Sequence, residues 1–274
     1  MSYATVLVYV DAEQSAEGPV RIAAAVAEKF NATLIGLSAL GVRPAFAAEG
    51  IVIDERLSPA LVDELKAELS ETEAWFRRIA GGDPRRREWR SAIDIPIDVL
   101  AREARCADLI VIARDQVRGG VYKSIETSSA VLKVGRPILV LPASGAMLEA
   151  RHVVIGWKDT REARRAVQDA LPFLHEAERV TIVEICETGE ETATSAHLDD
   201  VARYLGRHRI RASPKIIMHR QGPAASQLLM LAASEGADLL VTGAYGHSRL
   251  GEWIFGGVTQ DLLTRSALAC VMSH

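Results

Sequence analysis

The segment Cys106-Ala-Asp-Leu-Ile-Val-Ile112 returns nearly residue for residue as Gly236-Ala-Asp-Leu-Leu-Val-Thr242. A recurrence of that kind restricts the chain to two copies of one plan. Each copy holds a short apolar run bounded by turn residues, the pattern of a parallel strand covered on both faces. The flanking elements keep the correspondence. Val6–Val10 and His152–Gly156 read as opening strands, Pro19–Phe30 and Arg161–His175 as amphipathic helices, and Thr33–Leu37 and Val180–Ile185 as second strands. Leu57–Ile79 and Ala196–His208 read as helices, the first preceded by the longest irregular stretch, Gly41–Pro59. Trp89–Ile93 and Lys215–Met218 fit short strands, each followed by a helix, Pro96–Arg105 and Ala224–Glu235. Thr127–Val134 and Thr259–Ser266 are helices leading to closing strands, Pro137–Leu141 and Leu268–Met272. Strands alternating with helices imply parallel sheets with right-handed crossovers. The expected fold is therefore α/β, two tandem doubly wound domains with mainly parallel five-stranded sheets, residues 1–146 and 147–274, the seam lying near Ala143–Met147. The ligand cleft of such a domain lies at the carboxyl ends of its strands.

Composition narrows the partners. A hydrophobic content of 49% over 274 residues supplies two cores. The net charge of -4 leaves no electrostatic footprint for nucleic acid, which calls for a basic face. Arg85-Arg-Arg87, after Gly81-Gly-Asp-Pro84, reads as a solvated turn. Cys106, Cys186 and Cys270 lack metal-ligand spacing and read as buried, reduced residues. No apolar run reaches the length of a membrane span, and the first residues lead directly into a strand, so the expected location is cytoplasmic, with no membrane partner.

One stretch carries candidate chemistry. From Ala237 to Thr259 the sequence runs through a buried strand, a glycine-punctuated loop and a helix start. Gly243 and Gly246 are expected to let the backbone turn sharply and present N–H groups with no Cβ in the way. Gly256-Gly-Val-Thr259 is expected to set further N–H groups at a helix N-terminus, an end that favours anions. The spacing is Gly243, two residues, Gly246, nine residues, Gly256, then Gly257 where a hydroxyl residue is usual. With the Ala-Asp-Leu-Leu-Val lead-in and the closing strand, it resembles the nucleotide-binding signature of the universal stress protein family. That resemblance implies an adenine nucleotide, ATP first, with Mg²⁺ able to bridge its phosphates. It also implies pseudo-twofold pairing of the two domains through their closing strands, and it allows a homodimer. The binding residues it marks are Gly156, Lys158, Ile185, Gly243, Gly246, Arg249, Gly256, Gly257, Val258 and Thr259.

The two copies diverge at these positions. Alignment through the repeat sets Ala113 against Gly243 and Gln116 against Gly246, and counting back from the closing strands, across a loop two residues shorter, sets Ser124 and Ile125 against Gly256 and Gly257. A β-branched Ile125 at the helix entrance obstructs a phosphate, so the first copy is expected not to bind nucleotide in the family manner. Asp11 matches the acid that contacts the base in ATP-binding members, whereas the second copy has Lys158 there. Lysine donates to ring nitrogens or meets phosphate as a point charge, and reads equally as a solvated loop residue. Trp157 stacks on a base or enters the core. Ile185 matches a position whose backbone serves the base. Gly257 lacks the usual hydroxyl, which Thr259 replaces unless it only caps the helix. Arg249 is the candidate for direct phosphate contact, and His247 reads as scaffold or exposed residue. No catalytic residue and no metal ligand is assigned. The functional expectation is a stress-response protein that binds nucleotide in its second half, occupancy altering conformation or association. Two alternatives stay open, an interaction protein with vestigial pockets and a slow ATPase resting on the phosphate loop and His247.

Overall fold

The structure, a computed structural model, describes residues 2–12, 17–42, 58–114, 120–142, 147–246 and 257–274. In the first half β1 (Thr5–Tyr9), α1 (Glu17–Lys29), β2 (Thr33–Ala39), α2 (Pro59–Ala80) and β3 (Arg87–Ala92) are followed by α3 (Pro96–Glu103), β4 (Leu109–Ala113), α4 (Thr127–Lys133) and β5 (Ile138–Leu141). In the second half β6 (His152–Gly156), α5 (Arg161–Asp169), α6 (Leu171–Glu176), β7 (Arg179–Cys186), α7 (Glu191–Arg207) and β8 (Ala212–Met218) lead to α8 (Ala224–Ser234), β9 (Leu239–Gly243), α9 (Gly257–Arg265) and β10 (Ala269–Ser273). Among the described residues no helix is long and apolar enough to cross a membrane.

The strands form one ten-stranded sheet in the order β3-β2-β1-β4-β5-β10-β9-β6-β7-β8. Read outward from the centre, each half has the same order, which is the expected pseudo-twofold pairing. Every pairing within a half is parallel, and the join is antiparallel, with Leu139 opposite Val271. The central strands are almost wholly apolar because helices cover both faces, and two large core clusters result, one on each side. Tyr3 and Phe30 of the first half, 5.1 Å apart, each meet Phe173 of the second edge to face, at centroid separations of 5.5 and 5.4 Å.

Several local expectations change. The helix expected over Arg161–His175 is two, because Pro172 has no N–H to donate and its ring crowds the preceding turn. The next helix starts at Glu191 instead of Ala196, through threonines of modest helix propensity. Pro214 lies inside β8, which is tolerable because β8 is an edge strand. Arg87 is not in a solvated turn. It opens β3 with its side chain buried, and its Nε donates to the Gly81 carbonyl at 3.1 Å. Cys186 and Cys270 are buried as expected, but Cys106 is only half-buried, its Sγ 3.0 Å from Arg90 Nη1.

Candidate functional site

A cleft of about 220 Å³ opens at the carboxyl ends of β6, β7 and β9, where α5, α8 and α9 begin. Gly156, Ile185 and Gly243 line it from the strands, Lys158 and Gly246 from the loops after β6 and β9, and Gly257, Val258 and Thr259 from the first turn of α9. Of the residues marked in the sequence, Arg249 and Gly256, with His247, lie outside the described residues. One wall is apolar, from Val183, Ile185, Ala224 and Leu228. The opposite end is polar, with backbone amides, Thr160, Thr242 and Thr259, and an exposed Lys158.

The glycines work differently from expectation. Neither Gly243 nor Gly246 has positive φ, and among the described residues of this loop the left-handed one is Tyr245, at φ 57°. What Gly243 provides is close packing, since an added Cβ would stand 2.5 Å from Ala163 N and 2.6 Å from the Glu162 carbonyl carbon. At Gly246 the nearest atoms would be side-chain ends, Glu162 Oε2 at 3.0 Å and Thr160 Oγ1 at 3.1 Å. At Gly156 a Cβ would meet Leu228 Cδ2 at 2.7 Å, whereas at Gly257 nothing among the described residues lies within 4 Å. Of these four glycines, Gly257 alone has room for a Cβ among the described residues.

Side chains brace this arrangement. Thr259, 5% exposed, accepts from the Tyr245 N–H at 3.1 Å, so its hydroxyl ties the loop to α9 while keeping a hydrogen to donate. Thr160 caps α5 by accepting from the Ala163 N–H at 3.3 Å. Glu162 is buried beside the loop and hydrogen-bonded by Arg161 Nε. Burial pushes its carboxyl upward, but Arg161 and further hydrogen bonds outweigh that and hold it below the usual carboxylate range, so a negative charge sits under Gly246. Of the two places open to Trp157 it takes the core: it borders the cleft but is 8% exposed, in the core cluster on the far side of the sheet from Leu228. The loop also reaches the first half. Tyr245 stands beside Ser128 and Glu126 at the start of α4, and its phenol is pushed up by burial first and by Glu126 second.

In the first half, among the described residues, side chains stand at the matching positions. Tyr9 is buried and its hydroxyl donates to the Ala39 carbonyl at 3.3 Å. Ile125 is 7% exposed in the same core cluster. Tyr9, Tyr245, Thr160 and Glu162 are the residues that sequence reasoning missed. Only Thr160 had a sequence signal, a hydroxyl residue just before a helical pattern.

Residues 149–274 match the model of the Universal stress protein family. The second half, residues 149–274, is thus a domain of that family. The whole chain is similar in fold to a universal stress protein from Archaeoglobus fulgidus DSM 4304, at 14% identity and TM-score 0.75, covering 98% of each chain. It is also similar to a putative universal stress protein from Pseudomonas aeruginosa UCBPP-PA14, at 14% identity and TM-score 0.60, over 99% of this chain and 93% of that one. At these identities the likeness concerns fold alone. No curated protein matches the chain.

Proposed function

We propose that the second half of this chain binds an adenine nucleotide, ATP first, and that occupancy alters conformation or association. The observation that carries this is the convergence, in one cleft, of an apolar slot, the loop of Gly243 and Gly246, and the open first turn of α9 at Gly257. The residues fit the ligand chemically. Ile185, Val183 and Leu228 suit a planar ring, the α9 amides suit phosphate oxygens, and Lys158 supplies positive charge at the mouth. Glu162 is already paired with Arg161, so Lys158 and any Mg²⁺ carried in on the phosphates would be what offsets the ligand's own charge. Among the described residues no cluster of three or more His, Cys, Asp or Glu could itself hold a metal ion. Arg249 and Gly256 complete the phosphate end in this reading. A cytoplasmic homodimer of chains divided at residues 146 and 147 is part of the same proposal.

Titration of purified protein with labelled ATP, with and without Mg²⁺, tests it. Saturable binding that Gly257→Val weakens at least about tenfold is the expected result, and binding indifferent to that substitution rejects the site. A second reading, an interaction protein with vestigial pockets, is favoured by the side chains at the matching positions of the first half. It predicts that ATP leaves the melting temperature unchanged.

A further inference from the structure

We propose that Tyr9 is the built-in occupant of the first half's cleft: it holds the place where the second half leaves room for a ligand's ring, so the second half's cleft stands open while its twin is filled at this position. The strand registers carry this. Val6 lies opposite Leu109 and Val153 opposite Leu239, the leucines of the sequence repeat, so the opening strands correspond from these valines onward. Further along the same strands Tyr9 stands opposite Leu37, and Gly156 stands opposite Val183. Where one half has no side chain at all, the other has a phenol.

The phenol is held as a bound ring would be. Tyr9 shares a core cluster with Leu37, Ala39 and Ile125 and is 8% exposed. Its hydroxyl donates to the Ala39 carbonyl. Ala39 is the counterpart of Ile185, which borders the open cleft of the second half. A planar ring with one donor aimed at that carbonyl is thus already supplied by the chain. Nearby, the Gly41 N–H donates to the Tyr122 carbonyl at 2.6 Å, and an added Cβ at Gly41 would come within 3.0 Å of the same oxygen. The segment before Ile125 is therefore closed down on the strand end next to the ring. Volume alone would be met by phenylalanine. The directed hydroxyl is what a ligand mimic adds.

The experiment uses Tyr9→Gly, which makes β1 match β6 at this position, with p-cresol as the detached side chain and toluene as the same ring without its donor. Equilibrium dialysis is expected to find one more p-cresol per chain in the variant than in the wild type, and toluene to bind about fivefold more weakly for want of the hydrogen bond. Because both proteins carry the same second half, the difference holds whether or not that half binds nucleotide. No additional p-cresol, or equal affinity for toluene, overturns the proposal and leaves Tyr9 as ordinary core packing. If Tyr9→Gly does not fold unaided, refolding in each compound decides. Folded yield restored by p-cresol and not by toluene supports it, and any other result overturns it.

Discussion

At the scale of single residues, the glycines of the second half separate folding from binding. A Cβ at Gly243 would press on the backbone of α5, which cannot step aside cheaply, so Gly243→Ala should lose about 1–3 kcal/mol by overpacking. Chemical denaturation checks this. Gly257 has open space, so Gly257→Val should keep stability within about 0.5 kcal/mol yet lower nucleotide affinity at least about tenfold. Paired melting and titration curves of the two variants test the assignment, and a large stability loss in Gly257→Val would contradict it. Glu184 makes a separate prediction. It is 9% exposed on β7, and burial raises its carboxyl pKa, against a partial lowering by His197, whose Nδ1 is 3.9 Å away. The native state therefore holds this proton more tightly than the unfolded chain does, and stability falls as pH rises through the raised value. Glu184→Gln should remove that decline, melting above the wild type at pH near 8 and converging with it toward about pH 4, where the carboxyl is protonated in both states. The glycines themselves were legible in the sequence as a spacing. Their reasons were not, because Gly243 answers to a helix that starts eighty residues earlier in the chain, at Arg161.

Among the elements, helix starts decide how the cleft is built. Thr160 caps α5 and Ser58 caps α2, where its Oγ accepts from the Leu61 N–H at 3.2 Å. Replacing either with alanine should cost about 1 kcal/mol. Only Thr160→Ala should also weaken nucleotide binding, since Thr160 lines the cleft and Ser58 lies in the other half. Isothermal titration of both variants separates the two effects. Element order was readable from apolar periodicity and from the repeat around Leu109 and Leu239. Boundaries failed where local signals conflict with packing, as at Pro172, which divides one periodic stretch into α5 and α6, and at Glu191, where α7 begins before its apolar pattern does. Tyr9 shows a deeper limit. Its role depends on which residue of the other half stands at the same register, and a strand pattern read alone makes it one more apolar position.

Over the whole molecule, the halves are bound into one folding unit by the antiparallel join of β5 to β10 and by the Tyr3, Phe30 and Phe173 triangle. Further ties cross the same join: the Tyr3 hydroxyl donates to the Asp169 carbonyl at 2.7 Å, and Arg114 Nη1 donates to the Ser266 carbonyl at the end of α9. Phe173→Ala should therefore cost about 3–5 kcal/mol and lower a single transition, not split it, as differential scanning calorimetry would record. Severing the halves gives the stronger test. In residues 147–274 alone, β10 loses its partner, and Cys270, Val271 and Met272, all 0% exposed in the intact chain, stand on an unpaired edge. An apolar edge of that kind recruits another strand, and the nearest match in solution is β10 of a second fragment, which can pair antiparallel about a true twofold in place of the internal one. The fragment is expected to elute as a dimer in size-exclusion chromatography with light scattering. A stable monomer would mean that the β5 join contributes little, and that the two halves are neighbours rather than one structure.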